Sequence, residues 1–286
     1  MKRVALGLLF LGLLGLTSIG TAAPKSQLWE KWSAHDSGST SSIDHGEWNS
    51  LLEHYVVPGS DGINRFSYQQ LLDSSEDRQR LTDYLIEMSQ VEIRRFNRDQ
   101  QRAYWINLYN ALTVDVVLLE YPVYTIRDIK SGLFSSGPWG RNLIVVENEK
   151  LTLDDIEHRI LRPIWQDPRI HYAVNCASIG CPNLQPEAFT SANTESLLDR
   201  GAVEYVNHPR GAQVTGGKLQ VSSIYDWFEA DFGDSESGVI EHLRQYARPE
   251  LLAALDGIDE IDNDDYDWMI NATNPPEKGA RRRGGS

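Results

Sequence analysis

Apolar positions recur most regularly between Asp99 and Tyr121, the longest periodic segment of the chain. Trp105, Leu108, Leu112, Val116 and Leu119 line one face of a helix, and Ala103, Val114 and Val117 make a second face apolar. A helix that is apolar nearly all round belongs in the middle of a domain. Pro122 ends it. Asn107 and Asn110 lie one turn apart inside this helix, where an unpaired amide would cost about 1–3 kcal/mol. Both amides are therefore expected to tie neighbouring loops to the helix.

Residues 24–98 read as a helical lead-in. Trp29 and Trp32 open it, Trp48, Leu51, Leu52 and Tyr55 recur at helical spacing, and Leu81, Tyr84, Leu85 and Met88 repeat the pattern. Between them Asp61-Gly62 marks a turn and Asn64 to Tyr68 a short extended piece. Downstream, Leu143 to Glu149 and Gln213 to Val221 read as strands, the second a hairpin turned at Gly216-Gly217. A helix is expected over Thr152 to Arg162, a strand over Ile170 to Cys176, and a helix over about 192–206. Short helices follow at Trp227 to Phe232 and Val239 to Tyr246, with a last segment at Tyr266-Asp267-Trp268. Helices outnumber strands, which predicts an α+β fold: a helix-rich single domain around a small central β-sheet, with 99–121 as its buried helix.

The first residues change the expected compartment. Lys2 and Arg3 precede an apolar stretch, Val4 to Leu16, and a small-residue region, Thr17 to Ala23. That is the layout of a signal peptide, with cleavage expected after Ala22 and no cysteine there for a lipid anchor. The expected organisation is a leader over 1–22, the lead-in over 23–98, a main domain over 99–271 and a disordered tail over 272–286. The protein is then secreted or periplasmic, with no integral membrane segment after signal removal. Losing Lys2 and Arg3 takes the formal charge from −14 to −16, which argues against nucleic acid as a partner. The basic cluster Arg281-Arg282-Arg283 lies in the Pro/Gly-rich tail and reads as a solubility or contact element.

Both cysteines fall in one segment, Asp167 to Pro186. As read, an apolar strand ends at Asn175-Cys176, and Ala177-Ser178-Ile179-Gly180 leads to Cys181-Pro182. Three chemistries fit: a nucleophilic thiol, a redox pair or a local disulfide. The helix at 152–162 carries Glu157 and His158 and is well signalled. Thr152 and Asp155 form a variant capping box, and Leu151 and Ile156 a hydrophobic staple. Asp154 and Arg162 flank His158 one turn either side, which also suits a plain surface histidine. If this helix and the following strand pack antiparallel, Cys176 comes level with the first helical turn and within range of His158. Cys176 as nucleophile, His158 as base, and Asn110 or Glu157 as orienting group would make a catalytic set, with the 177–180 amides as oxyanion donors. Strand alternation turns His171 away from Cys176. His before Cys is not the order of papain-like or transglutaminase-like enzymes. In an oxidising compartment a Cys176–Cys181 disulfide is the default, and closing so short a loop stabilises the fold by only about 2 kcal/mol. No metal site or cofactor is expected, because no fourth ligand joins Cys176, Cys181 and His171. A peptide-like or small-molecule ligand suits the eight tryptophans. The oligomeric state is left open.

Read together, YWINLYNALTV (104–114), SGPW (136–139), LTLDDIEHRILRP (151–163), HYAVNCASIGCPNLQP (171–186), SSIYDWFEADFG (222–233) and YDWMIN (266–271) resemble the domain of unknown function 547 family, in its bacterial secreted form. The resemblance runs from about residue 60 to 271 and singles out Asn110, Glu157, His158 and Cys176 as motif positions. It implies an envelope-associated domain of α/β type and assigns no activity. A thiol-dependent hydrolase or transferase, an envelope binding module and a disulfide-exchange protein are the three functional expectations.

Overall fold

A computed structural model describes residues 24–130, 132 and 136–279. The leader and the arginine cluster lie outside the described residues. The lead-in forms α1 (Gly46–Tyr55), α2 (Tyr68–Asp73) and α3 (Ser75–Gln90), with a two-stranded ribbon, β1 (Val56–Pro58) and β2 (Asn64–Phe66), between α1 and α2. Ser74 caps α3 by accepting from the Asp77 amide, and Leu81, Tyr84 and Met88 bury the expected face.

The predicted central helix is α4, Arg98–Glu120. Asn97 caps it by accepting from the Gln100 amide at 3.0 Å. Every residue from Gln100 to Val114 is buried, so α4 is the axis of the larger core. Leu119 departs from the expected stripe and is 43% exposed, because the last turn emerges from the core.

The fold is α+β and helix-rich, and among the described residues the strands gather in three small sheets. The segment expected as one strand at 143–149 is a hairpin, β3 (Ile144–Val146) and β4 (Glu149–Leu151). Glu147 and Asn148, both at positive φ, make its two-residue turn. A π-helix, Asp155–Leu161, continues into α5 (Arg162–Trp165), and α6 spans Thr194–Val206. The Gly216-Gly217 hairpin is present as β5 (Ala212–Thr215) and β6 (Lys218–Ser222), followed by α7 (Ser223–Trp227), α8 (Glu236–Tyr246) and α9 (Pro249–Ala254). The edge strand β7 (Asn263–Asp265) runs parallel to β6. A second core around Tyr172, Tyr205, Tyr225, Phe232 and Leu243 lies beneath this half.

The chain after β7 links distant parts of the fold. Met269 bridges to Thr125, Ile270 to Ser178 and Ala272 to Phe66. Gly180 must be glycine here, since a Cβ would stand 2.9 Å from the Asp267 amide nitrogen and from the Tyr266 ring. Among the described residues no helix is long and apolar enough to cross a membrane.

Candidate functional site

The strand expected over Ile170 to Cys176 is not a strand. Pro168–Tyr172 is a 3₁₀ helix, and the chain from Ala173 onward is loop. Asp167 caps the turn, accepting from the Arg169 amide at 2.9 Å, and Pro168 occupies its first position. Residues 170–175 are buried on all sides, and so short an apolar run has no periodicity that separates strand from helix. With the strand goes the antiparallel register that levelled Cys176 with the helix carrying His158.

What fixes the loop instead is α4. The Asn110 side chain donates to Ala173 O at 2.9 Å and accepts from the Asn175 amide at 2.8 Å. Asn107 does the same for Phe189, at 2.7 and 3.0 Å. Both buried amides thus serve loop backbone, as their place in an apolar helix implied. Asn175 carries the order onward, donating to Pro182 O at 2.7 Å and accepting from the Ala177 amide at 2.8 Å. That bond supports Ala177 at φ +60°, a left-handed conformation unfavourable to alanine.

Cys176 and Cys181 are joined as a disulfide across this loop. Their exposures differ: Cys176 is half-buried, whereas Cys181 is 3% exposed. The Cys176 amide donates to Cys181 Sγ at 2.9 Å. Tyr266 Oη lies 3.0 Å from Cys176 Sγ and 3.1 Å from Cys181 Sγ, and Ser178 Oγ lies 3.0 Å from Cys176 Sγ. Burial pushes the Tyr266 hydroxyl well above the usual phenol range. Trp227 and Trp268 pack against its ring with centroids at 4.9 and 4.6 Å, and all three rings are partly exposed. Beside Trp268 a cleft of about 460 Å³ is lined by Tyr124, Arg127, Asp128, Asp267 and Met269.

Glu157 and His158 lie in a different cluster. The predicted capping box forms, Thr152 and Asp155 each bonding the other's amide at 3.0 Å. The helix then widens, and the Arg162 amide bonds Glu157 O five residues back. The amides of Gln27 and Trp29 donate to the carbonyls of His158 and Arg159 at 2.9 and 3.0 Å, docking the start of the described chain on this helix. His158 is buried. Its Nδ1 accepts from Arg162 Nη1 at 3.0 Å, and its Nε2 is 3.7 Å from Asp154. Burial lowers its pKa to about 4, against the opposing pull of Glu157, so the imidazole is neutral at pH 7. Arg162 Nε and His171 Nε2 both reach Asp231 Oδ2, at 2.5 and 2.7 Å. Burial alone would raise the Asp231 carboxyl, but His171 and Arg162 hold it far below the carboxylate range. Phe228 covers the group, stacked on His171 at 4.4 Å with Arg162 over its ring at 4.7 Å.

The structure brings Asn110 to the cysteine loop, while His158 bonds Arg162 and Glu157 lies 3.7 Å from His171 Nδ1. No hydrogen bond joins His158 to Cys176 among the described residues. Burial first and then Glu157 raise the Tyr109 hydroxyl, and Glu157 also contributes to the shift of Tyr266. Among the described residues no group of three or more His, Cys, Asp or Glu is arranged to hold a metal ion. Tyr266 and Asp231 escaped the sequence reading. Aromatic runs signal core first, and no spacing rule connects Asp231 to a histidine sixty residues earlier.

Neither a curated protein nor a solved structure matches the chain. A family model does match, over a segment that includes α4, the π-helix, both cysteines and α6 but neither Tyr266 nor Asp231. That family model, described as Protein of unknown function, DUF547, matches residues 93–206.

Proposed function

We propose that the protein is a secreted thiol–disulfide exchange protein in which Cys176 is the attacked sulfur and Cys181 the leaving one. The observation that carries this is the asymmetry of the pair: Cys176 is half-buried, while Cys181 is 3% exposed and accepts the Cys176 amide at 2.9 Å. A partner thiolate attacks Cys176 Sγ. A bond forms between the partner sulfur and Cys176, and the Cys176–Cys181 bond breaks with its electron pair leaving on Cys181. A second thiolate of the partner then attacks the partner's own sulfur in the mixed disulfide and releases Cys176. The partner dithiol becomes a disulfide, the protein becomes a dithiol, and the two partner protons pass to Cys176 and Cys181 or to solvent. An amide donor on the leaving sulfur lowers the cost of its negative charge, and a leaving thiol of lower pKa leaves faster. The short loop that the bond closes makes it a weak staple, which suits use over stabilisation. An oxidising compartment, which the leader-like residues 1–22 suggest, keeps such a bond formed.

The hydrolase reading, with Cys176 as nucleophile and His158 as base, has less support. It requires prior reduction, and His158 already accepts from Arg162. In the exchange reading Asn110 is a positioning residue acting through the loop backbone, and Glu157 and His158 belong to the neighbouring cluster that anchors residues 24–29.

The test is mixed-disulfide trapping. Cys181→Ser, incubated with oxidised glutathione and peptide-mapped, should carry glutathione on Cys176, and the native bond should be opened by dithiothreitol without denaturant. A bond that opens only after unfolding would refute the reading.

A further inference from the structure

Tyr266 touches both sulfurs, although it stands 85 residues beyond Cys181 in sequence and outside the family match. Resting on the exchange reading, we infer that Tyr266 is the hydrogen-bond donor that holds the Cys181 thiolate once the disulfide opens. Its hydroxyl lies 3.1 Å from Cys181 Sγ, 3.0 Å from Cys176 Sγ and 3.2 Å from Ser178 Oγ. Three neighbours compete for one proton, and the charge decides which receives it. In the disulfide both sulfurs are weak acceptors. After attack on Cys176, Cys181 Sγ alone bears a full negative charge, and a charge-assisted bond is roughly twice as strong as a neutral one. Ser178 is placed for the other sulfur, since its hydroxyl contacts Cys176 and none joins it to Cys181.

The proton stays on Tyr266. Burial keeps this phenol well above its ordinary value of about 10, far above a thiol near 8.5, so a thiolate cannot take it. Tyr266 therefore stabilises the leaving sulfur as a donor without acting as an acid. Together with the Cys176 amide it gives Cys181, itself 3% exposed, two fixed donors. Neighbouring groups hold the ring in position: Trp227 and Trp268 pack on it, and the Gly180 amide donates to Asp267 O at 2.8 Å.

The experiment uses the full chain. In a Cys176→Ala background, the Cys181 thiolate is titrated by its ultraviolet absorbance with Tyr266 and with Tyr266→Phe. Loss of the donor should raise the Cys181 pKa by about one unit, a tenfold change, and, at a pH above both values where the thiolate is the populated form, shift the glutathione equilibrium of the two-cysteine protein about tenfold toward the disulfide. A residue with a merely structural role would move the melting temperature and leave both readouts alone. If Tyr266→Phe does not fold, difluorotyrosine at position 266, a stronger donor, should lower the Cys181 pKa. An unchanged pKa and equilibrium in a folded variant overturn the inference while leaving the exchange reading intact. A native bond that dithiothreitol does not open defeats the exchange reading itself, whatever the Cys181 pKa.

Discussion

Asn110 grips the backbone on both sides of Val174, donating to the Ala173 carbonyl and accepting from the Asn175 amide, so a side chain of the central helix sets the start of the cysteine loop. Asn107, one turn earlier, makes the same pair of bonds to Phe189 on a loop without cysteines. The two residues form a natural control for each other.

Asn110→Ala should cost about 3 kcal/mol of unfolding free energy, because two buried backbone groups lose their partners. Asn107→Ala should cost about as much. Only Asn110→Ala should also change the rate at which dithiothreitol opens the disulfide, by severalfold. Urea unfolding and thiol release measure the two effects. An equal change of thiol release in both variants would remove Asn110 from the site.

The disulfide itself should contribute little stability. Replacing both cysteines by serine should lower the unfolding free energy by about 2 kcal/mol, the loop-entropy value for so short a closure, and leave the helical circular dichroism intact. A loss of the whole fold would mark the bond as structural and count against exchange.

Arg162 joins His158, Asp231 and the carbonyl of Pro24, and its side chain is only 4% exposed. Arg162→Met removes the cation and leaves Asp231 with His171 alone. The expected loss is about 3 kcal/mol, at the lower end for breaking a buried pair. The segment 24–29 should become susceptible to limited proteolysis before the rest of the chain. Mass spectrometry of the first cleavage products decides this.

Acid should unfold the protein early. His45, His158 and His242 each have a folded pKa near 4, with burial as the leading cause, against 6.5 for an exposed imidazole. A lowered histidine pKa means that the unfolded chain binds more protons between pH 6.5 and 4. Their contribution to stability is thus complete above pH 6.5 and is lost as the pH falls toward 4. Asp154 acts in the opposite sense, because burial, then Glu157 and Asp155, raise it to about 6. It binds its proton more tightly in the fold, which favours the folded state below pH 6. His158→Gln should flatten the acid limb of a melting-temperature profile, and Asp154→Asn should raise the melting temperature at pH 8. An acid limb unaltered by His158→Gln would mean that this imidazole charges within the fold.

Local chemistry determined several elements outright. An apolar helix capped by Asn97 and ended before Pro122, a capping box at Thr152 and Asp155, and a hairpin at Gly216-Gly217 each depend on neighbours within a few residues, and all are present. The burial of Asn110 also followed from its place in α4, since its neighbours on the helix face, Ile106, Asn107, Thr113 and Val114, are themselves buried. Tertiary structure decided the rest. Ile170 to Val174 is equally apolar as a strand or as a 3₁₀ turn, and the turn is the form that packs on α6 while Asn110 of α4 bonds Ala173 O. That choice removed the strand register expected to bring Cys176 level with His158. It also left the sulfurs to Tyr266, which arrives through the pairing of 266–272 with loops more than eighty residues earlier. Contacts at such separation carry no periodic trace in the chain, because they are fixed by the summed burial of both cores and not by the residues beside them.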